Sequence, residues 1–237
     1  MIEPTKNIDN YLDNHFIHRS NWLRAAVLGA NDGILSTSSL AIGIAAASDV
    51  RDPVVLATLA GLVAGALSMA AGEYVSVSSQ TDVEKADIER EKIELKETPE
   101  IELKLLAAIY EKRGLKKETA LTVAKELTDH DALGAHMRDE LGLNEISKAK
   151  PMQAAFASGA SFTVGGILPL LVTLFLPLQS MEYAIYGFAI FFLIILGAVA
   201  AKTGGSGIAK AIIRITFWGT VAMGLTALVG YFFGVNV

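Results

Sequence analysis

Apolar and polar residues fall into long blocks in this chain, and the two-residue alternation of β-strands is absent. Five blocks are apolar over lengths that match a hydrocarbon core of about 30 Å. They run from about Trp22 to Ala47, Val54 to Ser79, Met152 to Leu178, Tyr183 to Ala201 and Ile208 to Phe233. Between the second and third lies a charged block, residues 81–150, which holds 13 of the 20 Lys and Arg and 17 of the 25 Asp and Glu. The pattern predicts five transmembrane helices with a helical insert outside the membrane. Within the insert, helices are expected over 81–97, Pro99–Arg113, Lys117–Thr128 and Asp131–Leu141. Thr98 is a suitable N-cap, Pro99 a first-turn residue, and Gly114 and Gly142 suit helix ends. From Gly72 to Pro99 neither Pro nor Gly intervenes, so one helix is expected to leave the membrane at Ala60–Ser79 and continue through Lys96.

Composition agrees. At 52% hydrophobic residues and a mean hydropathy of +0.43, the chain is too apolar for a water-exposed surface. Residues 1–21 are polar and are expected to be partly helical. They lack the basic-then-apolar pattern of a cleaved signal peptide, so the first apolar block is expected to stay in the mature protein. There is no cysteine, which excludes disulfides, thiolate metal sites and cysteine nucleophiles. The net charge of -5 gives no argument for nucleic-acid binding. No phosphate-binding loop and no nucleophile–base pair stands out, so an enzyme is not expected. Basic residues fix the expected orientation: 19 of the 20 fall on the side of the N-terminus and insert, and Arg51 stands alone on the other. The positive-inside rule then places the N-terminus and insert in the cytoplasm and the C-terminus outside.

Three groups of residues carry candidate chemistry. Asp32 lies inside the first apolar block, beside Gly33 and ahead of four hydroxyl residues, Ser36 to Ser39. A carboxylate there costs about 2.5–3.5 kcal/mol, so it should face a polar cavity, a partner or a proton. The other reading makes Asn31-Asp32-Gly33 an interfacial turn. Met69 and Glu73 stand one helical turn apart, and an oxygen and a thioether sulfur suit a first-row divalent metal better than Mg²⁺ or Ca²⁺. Met69 alone is equally well read as packing, and Glu73 as a residue at the membrane boundary. In the insert, Glu84, Asp87, Glu91 and Glu94 share one helix face that continues toward Glu100 and Glu102, and a later helix carries His136, Met137 and Glu140. Carboxylates with a neutral imidazole bind Fe²⁺, Mn²⁺ or Zn²⁺. Interleaved Lys85, Arg90, Lys92 and Lys96 equally fit an ordinary solvated helix.

Five segments resemble a known family: NWLRAAVLGANDGILSTSSLAIG, LAGLVAGALSMAAGEYVSVSSQTDVEKADIERE, HDALGAHMRDELGL, SFTVGGILPLL and LGAVAAK. From about His18 onward the chain looks like a bacterial-type member of the vacuolar iron transporter family. The resemblance implies a five-span homodimer with a pore between the first spans and a cytoplasmic helical metal-binding domain. It also implies export of Fe²⁺ from the cytosol in exchange for protons. It matches Asp32 and Met69 to pore positions, and Glu91, Glu94, Glu102 and Glu140 to cytoplasmic metal-binding glutamates. There are departures. A second pore carboxylate of plant members falls on Gly61, a cytoplasmic glutamate falls on Leu105, and a ligand methionine falls on His136 with Met137 beside it. Glu73 stands where the plant pattern has glycine, and Glu100 is the candidate to replace the missing glutamate.

The expected fold is therefore an all-α integral membrane protein of five transmembrane helices, with a cytoplasmic helical metal-binding insert between helices 2 and 3. The expected domains are 1–80, 81–150 and 151–237. The expected function is a secondary transporter of Fe²⁺, with Mn²⁺ or Zn²⁺ as further ions. Protons, membrane lipid and a second copy of the chain are the expected partners, and the cell inner membrane the expected location. The alternative is a membrane-anchored divalent-metal buffer or sensor without transport.

Overall fold

The computed structural model describes residues 20–143 and 150–234, and most of the N-terminal segment expected at residues 1–21 lies outside them. Seven helices are described: α1 (Ser20–Ala47), α2 (Arg51–Glu97), α3 (Pro99–Lys112), α4 (Lys117–Asp139), α5 (Pro151–Phe175), α6 (Leu178–Thr203) and α7 (Ile208–Gly234). No strand occurs among the described residues. The chain divides into two compact units. One holds the residues up to Tyr74 and from Met152 onward; the other is Val75–Pro151. Helix α2 is unbroken over 47 residues and contributes to both, as the absence of breakers predicts.

In the first unit α1 packs against α6 and α7, which also pack on each other. Ile34, Ala41, Ile42, Met181, Ile185, Leu193 and Met223 form its buried core. Large apolar side chains nevertheless remain outside: Phe156, Phe175 and Tyr183 are 79%, 75% and 81% exposed. Water would penalise such a surface and a bilayer would not. Four helices among the described residues are long and apolar enough to cross a membrane: α2, α5, α6 and α7. Helix α1, the first expected span, is 28 residues long but is not one of them. It carries Asn31, Asp32 and the hydroxyls of Ser36 to Ser39, which dilute its apolar character. Small residues bring it close to α5. A Cβ at Gly33 would collide with the Phe162 carbonyl, and one at Gly165 with the Ala30 carbonyl, so backbones meet where side chains would hold them apart.

In the second unit α3 packs on α4 through Leu106, Ala107, Ala124 and Ala135. The expected break near Thr128–Asp131 is a kink inside α4. Asp131 takes an extended conformation (φ −160°, ψ 88°), and its Oδ1 accepts a 3.0 Å hydrogen bond from the Gly134 amide. That is the geometry of a helix N-cap, and it restarts the helix that carries His136 and Glu140. Thr98 occupies the N-cap position of α3 without capping it; its hydroxyl donates back to the Glu94 carbonyl at 3.1 Å. Gly114 and Gly142 take positive φ at the helix ends, as expected.

Candidate metal centre

Four side chains from three helices meet in the Val75–Pro151 unit. Glu91 comes from α2, Glu102 from the first turn of α3, and His136 with Glu140 from the end of α4. Their ligand atoms all lie within 4.8 Å of one another. Glu91, Glu102 and His136 are buried, while Glu140 is exposed although its carboxylate reaches inward. Three carboxylates converge on one ring nitrogen. His136 Nδ1 lies 2.8 Å from Glu140 Oε2, 2.9 Å from Glu91 Oε1 and 3.9 Å from Glu102 Oε2. The contact to Glu140 is a hydrogen bond; Glu91 Oε1, for all its nearness, has no hydrogen-bond partner, and neither has His136 Nε2. One ring N–H cannot serve three acceptors.

The electrostatics are correspondingly unfavourable. Burial pushes the Glu91 carboxyl above its ordinary range; the charges of Glu140, Glu102 and Glu94 push the same way, and only His136 pulls it down. A divalent cation would reverse that balance, because it offers several ligand bonds where one proton offers a single hydrogen bond. Neighbouring contacts hold the ligands in place. Thr98 Oγ1, whose proton goes to the Glu94 carbonyl, also lies 3.5 Å from Glu102 Oε1. Tyr110 donates to Asp139 Oδ2 at 2.7 Å and Arg113 pairs with the other oxygen, which ties the end of α4, and so Glu140, to α3. For Asp139 burial pushes the carboxyl up, but the Tyr110 and Arg113 contacts outweigh it and leave the group below its usual range.

The other expected insert residues do not join this group. Glu94 pairs with Arg90 at 3.4 Å, Glu100 is exposed, and Met137 is only partly buried. Of the acidic face on α2, only Glu91 turns inward.

In the first unit, Asp32 and Met69 line one cavity of about 220 Å³, with Ser36, Thr37, Ser68 and Phe162 among its other walls. Asn31, Asp32 and Gly33 are helical, so the interfacial-turn reading does not hold. The Ser36 hydroxyl donates to the Asp32 carbonyl at 2.6 Å, whereas the buried Thr37 hydroxyl has no partner. Thr37 and Ser68 were not singled out from the sequence as site residues. The hydroxyl run is visible there, but not which of its members faces the cavity. Gly61, where the resemblance has a pore carboxylate, lies on the same wall. Glu73 is half-buried and does not line this cavity.

The model of the VIT family matches residues 23–231. A vacuolar iron transporter from Acanthamoeba castellanii is 45% identical over 90% of this chain and 78% of its own length. Vacuolar iron transporter homolog 1 of Oryza sativa is 36% identical over 94% of the chain and 78% of its own length. Vacuolar iron transporter homolog 2 of Arabidopsis thaliana is 35% identical over 90% and 87%. With nearly its whole length matched, this membrane chain belongs to the VIT family, a family of transporters and not of enzymes.

Proposed function

We propose that this protein is a secondary transporter that exports Fe²⁺, and Mn²⁺ as a second ion, from the cytosol by proton antiport. The observation that carries the reading is the convergence of Glu91, Glu102, His136 and Glu140 on one point, with a buried carboxylate oxygen left unsatisfied. Oxygen and imidazole ligands suit Fe²⁺, Mn²⁺ and Zn²⁺, and disfavour Cu⁺, which prefers sulfur. The insert collects the ion. Asp32 and Met69 then pass it across the membrane: the carboxylate supplies charge, the thioether a soft contact, and the Thr37 and Ser68 hydroxyls replace part of the hydration shell. Protonation of the Asp32 carboxylate releases the ion and couples flux to protons.

In the same reading α1 is the first of five spans. Packing against α5, α6 and α7 lets a helix with a carboxylate stay in the bilayer. The N-terminus and insert are cytoplasmic, the C-terminus is outside, and the membrane is the cell inner membrane. The protein acts as a homodimer. The α2 surface beside the cavity, where Leu56, Val63 and Leu67 are more than half exposed, supports a second copy closing the pore. Glu73 is assigned to the membrane boundary, and Glu94, Glu100 and Met137 to an outer shell that feeds the buried ligands.

The experiment is Fe²⁺ flux into proteoliposomes under an imposed pH gradient. The proposal expects flux that follows the gradient and collapses in Asp32→Ala and Met69→Ala. Wild-type flux in both variants would falsify the pore assignment. A second reading, a metal buffer or sensor, is favoured by the ligand-rich group lying wholly in the insert unit. It expects metal binding by the full chain with no flux at any gradient.

A further inference from the structure

A second cavity, of about 380 Å³, opens on the opposite side of α1 from the one lined by Asp32, between α1, α6 and α7. Its walls are mostly apolar, with Leu28, Leu35, Ile215 and Trp218 among them, and two polar residues, Asn31 and Arg214. Neither polar residue is satisfied. Arg214, exposed in the second turn of α7, has no ion pair or hydrogen bond among the described residues. Asn31 Oδ1 is buried and has no partner. A guanidinium exposed beside an apolar cavity, with no counter-charge among the described residues, is open to an anion. Trp218, one turn further along α7 and 63% exposed, marks the level at which indole rings lie between headgroups and acyl chains. Lys202 and Lys210 are exposed near the same ends of α6 and α7.

We propose that this cavity binds an anionic phospholipid of the bilayer, its phosphodiester on Arg214 and an acyl chain along Leu28, Leu35 and Trp218. Charge complementarity selects the headgroup: Arg214 accepts a phosphate bidentately, whereas a zwitterionic lipid brings its own cation to the site. The apolar walls select a molecule with a tail over a soluble phosphate. The site has a functional consequence because Asn31 and Asp32 are adjacent on α1. A lipid on one face of the helix presses on the element that presents Asp32 to the other cavity. The inference does not depend on the direction or substrate of transport.

The test is lipid binding to the full-length detergent-solubilised protein by native mass spectrometry, with dioleoyl phosphatidylglycerol, dioleoyl phosphatidylcholine and glycerol 3-phosphate as probes. The wild type is expected to bind phosphatidylglycerol about tenfold or more tighter than phosphatidylcholine. Arg214→Gln should remove that preference, and Arg214→Lys should retain part of it. Ala211→Leu, which narrows the cavity, should weaken phosphatidylglycerol binding with the guanidinium still present. Lys202→Gln, which lies off the cavity, should leave the preference intact. Equal binding of the two lipids by the wild type overturns the proposal without recourse to any variant. Loss of the preference in Lys202→Gln to the same degree as in Arg214→Gln also overturns it, since the effect would then be diffuse surface charge. Competition by glycerol 3-phosphate overturns it in favour of a soluble phosphate ligand.

Discussion

The insert cluster and the membrane cavity use the same chemistry at different densities. In the insert, three carboxylates and an imidazole converge within 4.8 Å, mostly buried, with more acceptors than protons to serve them. In the membrane unit, one carboxylate and one thioether share a cavity of about 220 Å³ with hydroxyls. The difference follows from solvent. In the Val75–Pro151 unit the cluster keeps one exposed member, Glu140, whose charge solvent can screen. In a bilayer each further carboxylate costs several kcal/mol, so a membrane site must work with few charges and neutral dipoles. A dense site suits holding an ion, and a sparse one suits letting it go.

The sharpest way to break this contrast is to remove the one carboxylate that lines the cavity with Met69. Asp32→Ala is expected to lower Fe²⁺ flux in proteoliposomes by about 100-fold while the full chain still binds metal in equilibrium dialysis. Equal loss of flux and binding would mean that the two regions are one site. His136→Ala or Glu91→Ala should do the reverse in kind, lowering equilibrium metal affinity by about 10- to 100-fold.

A subtler test separates crowding from ligation. Glu91→Gln is expected to leave the metal-free protein as stable as the wild type or more so, because it removes a buried charge from a like-charged group. At the same time it should lose most of the thermal shift produced by saturating metal, about 2.7 kcal/mol for an ion at 100 times its Kd. The pH dependence has a definite sign. The Glu91 pKa is raised in the folded state, so between the ordinary value of 4.5 and the raised one the folded protein binds more protons than the unfolded. Metal-free stability should therefore fall as pH rises through that window, more in the wild type than in Glu91→Gln. Metal affinity should rise over the same interval as the ligand ionises. Chemical denaturation at several pH values, with and without metal, measures both. The smallest effect is expected from Tyr110→Phe, which removes the hydrogen bond to Asp139 for about 1 kcal/mol of stability. Metal affinity should change less than tenfold, since Arg113 still holds Asp139.

The two regions were not equally legible in the sequence. Asp32 and Met69 stand out because polar and soft residues are conspicuous in apolar blocks, and the cavity brings both together. The insert offers many carboxylates, and helix periodicity alone spreads them along a face. Glu84, Glu91 and Glu94 look alike there, yet Glu84 accepts a hydrogen bond from Gln80, Glu94 pairs with Arg90, and only Glu91 is buried. The orientation of α4 depends on the Asp131 kink, which a predicted break announces without giving its angle. Thr98, expected to cap α3, turns its hydroxyl toward Glu94 and Glu102 instead.

By itself, then, the sequence determined what one-dimensional patterning can encode: long apolar blocks, a charged insert, a helix that runs unbroken from an apolar block into the charged one, and a carboxylate set among apolar residues. Only the tertiary structure decided which of the insert's carboxylates meet His136, that Gly61, Thr37 and Ser68 share a wall with Asp32, and that Glu73 does not. It also decided that Arg214 and Asn31 border one cavity. The physical reason is that a membrane or helix period acts through neighbours within a few residues, whereas a ligand cluster is set by backbones packed from distant segments, where a kink at Asp131 or a missing Cβ at Gly33 or Gly165 fixes what comes within bonding distance.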